Sequence, residues 1–219
     1  MAAQQNKIAD NVPALTPQKH PFAVPTKALA EAIANEWQAG AKYSVAKMPL
    51  TALAYTAIDQ IAGQKDTIVE VLMAYIDTDT LSYRATGSEA LATQQLEQWN
   101  PILAWAGKRF GATWQVTTGV MPLEQPQALH QAVQKYLQKL NEMQLAACCV
   151  LGSCLSSLVL AVAVLEKHVN AVEAFRLSRL EEEAQAAAWG RDSEADQRAE
   201  RLKREIVSAA EFLGLLEAR

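Results

Sequence analysis

The sequence predicts a mainly helical α+β fold, with a small mixed α/β domain over residues 1–125 followed by an all-helical bundle over 126–219. Three observations predict it. Two β-branched and aromatic runs, "TLSYRA" (80–85) and "TWQVTTGV" (113–120), flank a helical stretch, which suggests a small mixed sheet. Beyond "VMPLEQP" the pattern is entirely helical, which places a boundary near Gln125. Half of the 219 residues are hydrophobic, enough for a sizeable core.

Taken in order, "KIADNVPAL" reads as a short edge hairpin around Asp10 and Asn11. Pro13, Pro17, Pro21 and Pro25 then recur every four residues; each locks φ and removes a donor, so this stretch is an extended arm or edge strand. Thr26 caps a helix that buries Ala28, Leu29, Ala32, Ile33 and Trp37. A second helix runs through Leu50, Leu53, Ala57 and Ile61, and a third through Ile68, Val71, Leu72 and Tyr75. Between the two candidate strands lies a helix over 88–110. The C-terminal half holds four helical patterns, 126–141, 143–166, 170–189 and 193–217, joined by the short connections of a bundle. In the last, Ala199, Leu202, Ile206, Ala209, Leu213 and Leu216 form a core stripe, with Glu200 and Arg204 one turn apart on the wet side.

The run 143–165 carries no charge over 23 residues, long enough to cross a bilayer. Gly152, Ser153, Ser156 and Ser157 weaken its middle, no Trp or Tyr marks its ends and neither flank carries a Lys/Arg cluster. The central helix of a bundle is also hydrophobic all round. A membrane-anchored scaffold and a buried bundle helix are both open at this point.

Several functions lack the residues they need. A net charge of -4 with dispersed bases offers no stripe for nucleic acid. "AGKRFG" and "AGQKDT" both fail as phosphate-cradling loops, so neither nucleotide binding nor ATP hydrolysis is supported. "DTDT" lacks the later glycine and glutamate of a calcium loop. Cys148, Cys149 and Cys154 read as small buried hydrophobes, and His20, His130 and His168 have no second ligand nearby, so no metal or other cofactor is expected. "MAAQQNKIADNV" shows no targeting pattern, and an intracellular location is expected.

The remaining candidate is "LSRLEEEAQAAAWG", 177–190. On a continuous helix Leu177, Leu180, Ala184, Ala187 and Ala188 cover an arc of about 100°. Glu182 lies opposite that arc. Phe175 and Trp189, seven residues to either side of it, fall within about 20° of the same line. Glu181 and Glu183 flank the stripe, with Arg179 one turn from Glu183. The carboxylates admit three readings: a solvated face, a carboxylate-dependent hydrolase centred on Glu182, or an interaction face with aromatic anchors.

Six stretches, in order, carry a resemblance: "FAVPTKALAEAIANEW" (22–37), "MPLT" (48–51), "DTDTLSYRA" (77–85), "WNPILAWAGKRFG" (99–111), "GSCLSSLVLAVAV" (152–164) and "SRLEEEAQAAAWG" (178–190). Together they resemble the ATP-twelve family, assembly chaperones of the F(1) sector of ATP synthase, across nearly the whole chain. The resemblance implies a non-enzymatic, soluble protein that binds the free alpha subunit of F(1), prevents its aggregation and yields it to the beta subunit without ATP. It implies no membrane insertion, and a bacterial cytoplasmic or mitochondrial matrix location. The glutamate of the family's Ser-Arg-Leu-acidic-Glu pattern falls on Glu182. With the helical line it makes Glu182, Trp189, Phe175 and Arg179 the candidate partner-binding residues. Family members usually carry a longer lead before the proline arm than the 12 residues preceding Pro13 here.

Overall fold

A computed structural model describes residues 6–7, 12, 14–39, 47–119, 121 and 123–218. The hairpin expected around Asp10 and Asn11 lies outside them. Strand β1 (Asn6–Lys7) pairs antiparallel with β2 (Ala23–Val24), Asn6 opposite Val24. Between them the arm turns back on itself, with Leu15 bridged to Pro21 and Lys19 at φ +66°. The Asp59 carboxylate holds this turn, accepting from the Thr16 hydroxyl at 2.5 Å and the Gln18 amide at 3.2 Å, with His20 Nδ1 at 2.9 Å. These bonds outweigh the cost of burying Asp59 and keep its carboxyl below the usual range.

Helix α1 (Lys27–Gln38) begins where the sequence places it: Thr26 Oγ1 accepts from the Leu29 amide and donates to Leu215 O, tying the first helix to the last. Helix α2 (Pro49–Tyr55) continues into a π-helical turn (Thr56–Ile61), so the expected second helix changes pitch midway. In α3 (Lys65–Met73) Val69 and Leu72 are the buried residues, whereas Val71 is 57% exposed. The contact face is therefore rotated from the one expected. Helix α4 (Glu89–Phe110) runs from its Ser88 cap to Gly111, whose φ of +69° ends it in the left-handed region.

Among the described residues the two strands expected at 80–85 and 113–120 do not form as strands. Thr80–Ser82 is a 3-10 turn, and only Tyr83 and Thr117 pair, as an isolated parallel bridge. Side-chain amides take the bonds that a longer ladder would use. Gln95 Oε1 accepts from the Ala85 amide and Gln125 Oε1 from the Gln115 amide, while Ser82 Oγ accepts from the Trp114 indole. β-propensity describes fit to a partner surface, and here that surface is helical. Almost all regular structure among the described residues is helix.

The C-terminal half comprises α5 (Gln127–Lys139), α6 (Glu142–Leu155), α7 (Leu158–Leu165), α8 (Ala171–Ser178), α9 (Leu180–Trp189) and α10 (Ser193–Glu217). Two of the four expected helices are thus broken in two. The apolar run bends at Ser156, φ +49°, and restarts at Ser157, whose hydroxyl accepts from the Leu160 amide. The fully buried Asp79 completes the elbow. Its carboxylate accepts from Ser157 Oγ at 2.8 Å, from the Val159 amide at 3.0 Å and from the Leu81 amide at 3.0 Å, while Thr80 donates through its amide and its hydroxyl to Ser156 O. Among the described residues no helix is long and apolar enough to cross a membrane. Leu158–Val164 is buried throughout, the all-round burial of a central bundle helix.

Helix α10 packs on α6, α8 and α2, and α3 packs on α5, so buried residues on either side of Gln125 join one contiguous core. Cys148 is fully buried and Cys149 and Cys154 partly so; burial pushes the Cys149 thiol up to about 11 and that of Cys154 to about 12, which leaves them protonated. His130 Nε2 lies 3.1 Å from Asp77, and His168 stacks on Trp105.

Candidate functional site

The site is organised by the second break. Asn170 caps α8 through the Glu173 amide, and Leu177 and Leu180 are buried on either side of the junction. The Trp99 indole donates to Leu177 O at 2.9 Å, and Ser178 Oγ donates to Phe175 O. Carbonyls that a continuous helix would present to its own next turn are engaged instead by side chains. Arg179, at φ -114° and ψ 12°, is the hinge between α8 and α9.

This break changes the expected geometry. Phe175 lies on α8 and packs, half-buried, against the core, whereas Glu182 and Trp189 lie on α9. The common line through all three residues does not exist; only Glu182 and Trp189 share a helix. Arg179 meets Glu182, Nη1 to Oε1 at 3.1 Å, rather than Glu183. Glu183 pairs at 2.8 Å with Arg191, which also reaches Asp196 at 2.9 Å. The stripe is likewise shorter than expected, because Ala187 and Ala188 are exposed and Leu180 is the one buried residue of α9. Trp189 is 86% exposed at the end of that helix.

Helix α10 shows the same asymmetry. Its buried residues, Ile206, Ala209, Phe212 and Leu213, all lie in its second half, while Ala199 and Leu202 are only half-buried. The outer turns of α9 and α10 thus form a projecting hairpin across Gly190. Helix α9 rests on α4, and α10 on α6 and α8, so the two arms diverge. Between them opens a cleft of about 770 Å³. Trp99, Leu155 and Ser156 line it from the body, Arg179, Glu181 and Glu182 form one wall, and Asp192, Glu194, Arg198, Arg201 and Leu202 the other, so that both walls carry acids and bases. The sequence reading omitted the second wall. Its signal, two arginines three residues apart on the outer part of the cleanest helix, was visible but had no partner face until the fold supplied one.

Among the described residues no group of His, Cys, Asp and Glu is arranged to hold a metal ion. The model for the ATP12 chaperone protein family matches residues 6–107. A structure of Paracoccus denitrificans Atp12p with one aspartate-to-lysine substitution is 38% identical, covering 92% of this chain and 87% of that one, with a TM-score of 0.88. The chain belongs to the ATP12 chaperone family. Unsubstituted Atp12 from Paracoccus denitrificans gives 37% identity over 94% of this chain and 89% of that one, again with a TM-score of 0.88. The mitochondrial protein atp12 of Schizosaccharomyces pombe is 29% identical, covering 83% of this chain and 67% of that protein. The ATP12 family is one of chaperones, not enzymes, and the hydrolase reading of Glu182 is set aside with that assignment.

Proposed function

We propose that this protein is an assembly chaperone of the F(1) sector of ATP synthase that binds the free alpha subunit, prevents its aggregation and hands it to the beta subunit without ATP hydrolysis. The observation that carries the reading is membership of the ATP12 family over nearly the full chain. An arm that leaves Trp189 uncovered, with a half-exposed Glu182 about two turns back on the same helix, supports it. Glu182, Trp189 and Arg179 are the proposed contact residues, and Phe175 supports them from α8.

The chemistry suits temporary cover. A subunit awaiting its partner exposes a large apolar patch, and such patches associate wrongly. A binder with one aromatic anchor and a charged group can protect that patch and still be displaced, because a partner that buries more area wins by mass action. Each additional 1.4 kcal/mol in favour of beta shifts the exchange about tenfold. Light scattering of dilute alpha subunit, with and without this protein, tests protection, and size exclusion after adding beta tests release. Suppressed scattering and a displaced chaperone are expected. A stable complex containing all three proteins would overturn the hand-over mechanism, and unprotected alpha would overturn the function.

A further inference from the structure

Between Leu180 and Ile206 no residue is buried, so core packing does not fix the path of the chain there. Local features fix it instead. Gly190 closes α9, its amide donating to Ala186 O at 2.9 Å, and holds φ +96° and ψ 159°. Asp192 then caps α10 by accepting from the Glu194 amide. Between the two, Arg191 reaches back to Glu183 at 2.8 Å and forward to Asp196 at 2.9 Å. The Arg191 side chain is 60% exposed, and ion pairs in that setting contribute little. The backbone at Gly190 is the stronger constraint, because its conformation is open essentially to glycine alone.

We infer that Gly190 is a positioning residue for client binding: its backbone sets the angle at which α9 meets α10, and so where Trp189 and Glu182 stand against the alpha subunit. The inference rests on the chaperone reading and adds a residue that has no side chain with which to touch the client. Leu180 anchors one end of the arm in the core and Ile206 the other. A residue with a side chain is driven out of the Gly190 conformation, and with both ends anchored the change falls on what lies between. Trp189, the adjoining residue, is 86% exposed and is held by no packing against the core. Space is not the obstacle, since a methyl group at position 190 meets no atom within 4 Å. Conformation and bulk can therefore be separated. The mirror image of the Gly190 conformation is extended backbone, so a D-residue takes up this conformation as readily as an L-residue takes up a strand.

The test uses the full chain and purified F(1) alpha subunit. Wild-type binding is measured first; if alpha does not bind, the chaperone reading fails and this inference with it. If alpha binds, Gly190→Ala is expected to weaken binding about tenfold, the scale of one displaced aromatic anchor, with the melting temperature kept within a few degrees. D-alanine in place of Gly190, installed by semisynthesis, is expected to restore wild-type affinity. Gly214→Ala makes the same change inside α10, where the backbone is helical, and is expected to bind like wild type. Nitroxide labels in place of Gln185 and Gln197, one on each helix of the arm, report its geometry directly. One narrow distance is expected in the wild type and with D-alanine, and a shifted or broadened one in Gly190→Ala. Wild-type affinity in Gly190→Ala, a loss that D-alanine does not restore, or an equal loss in Gly214→Ala would overturn the positioning role and leave the chaperone function standing. So would an unchanged distance beside lost binding, or an early melt of Gly190→Ala that accounts for its loss, which would make Gly190 a folding residue.

Discussion

The α6–α7 elbow and the α9–α10 arm start from similar material and reach opposite ends. Each contains a break in a stretch that reads as one long helix, and each break is held by a residue 78 positions away, Asp79 with Ser157 and Trp99 with Leu177. At the elbow every residue from Leu158 to Val164 is buried and the freed backbone groups are taken up by a fully buried carboxylate. At the arm one residue of α9 is buried, and its terminal tryptophan is 86% exposed. A break inside the core turns apolar sequence into packing. The second break turns α9 so that it rests on α4 with Leu180 alone buried, which leaves its other side chains free for the proposed partner.

The sharpest way to break this contrast is Asp79→Ala. It leaves the Ser157 hydroxyl and the Val159 and Leu81 amides without their acceptor in a buried place, at about 1–3 kcal/mol for each group left unsatisfied. Partial relaxation brings the expected loss to about 3 kcal/mol, a fall of roughly 10 °C in melting temperature for a chain of this size. Burial pushes the Asp79 carboxyl up to about 6, against the hydrogen bonds that lower it. Because the folded pKa lies above the unfolded one, the group's contribution is full below about pH 4 and lost as pH rises through 6. The deficit of Asp79→Ala relative to wild type therefore widens by about 1 kcal/mol from pH 7 to pH 5, read from denaturant midpoints. A deficit that narrows on acidification would mean that the carboxylate is held ionised.

A smaller effect at the same place is expected from Ser157→Ala. It removes the α7 cap and one donor to Asp79, at about 1 kcal/mol or a few degrees. In the arm the sizes invert. Glu182→Ala, whose side chain is 47% exposed, is expected to stay folded and shift the melting point by about a degree, while weakening alpha binding several-fold. Trp189→Ala is expected to leave the melting temperature unmoved and to weaken alpha binding about tenfold, the scale of an aromatic anchor. Circular dichroism and a binding titration on the same samples separate the two quantities. An arm variant that melts early, or an elbow variant that keeps its stability but loses the client, would erase the division.

Sequence alone determined the features that depend on neighbours a few residues apart. Thr26 and Ser88 start their helices because a hydroxyl reaches the amide three residues on, and Gly111 ends α4 because the left-handed turn is open to it. The helical character of 127–217 followed from periodicity. Tertiary structure decided everything that hangs on a distant group. It dissolved the strands near Tyr83 and Thr117 by supplying Gln95 and Gln125 as alternative partners. It bent the apolar run at Ser156 through Asp79, and it separated Phe175 from Glu182 through Trp99. A helical wheel assumes that each carbonyl is answered one turn later along its own chain. Where a buried side chain from elsewhere answers first, the wheel no longer describes the surface, and the cleft between α9 and α10 exists for that reason.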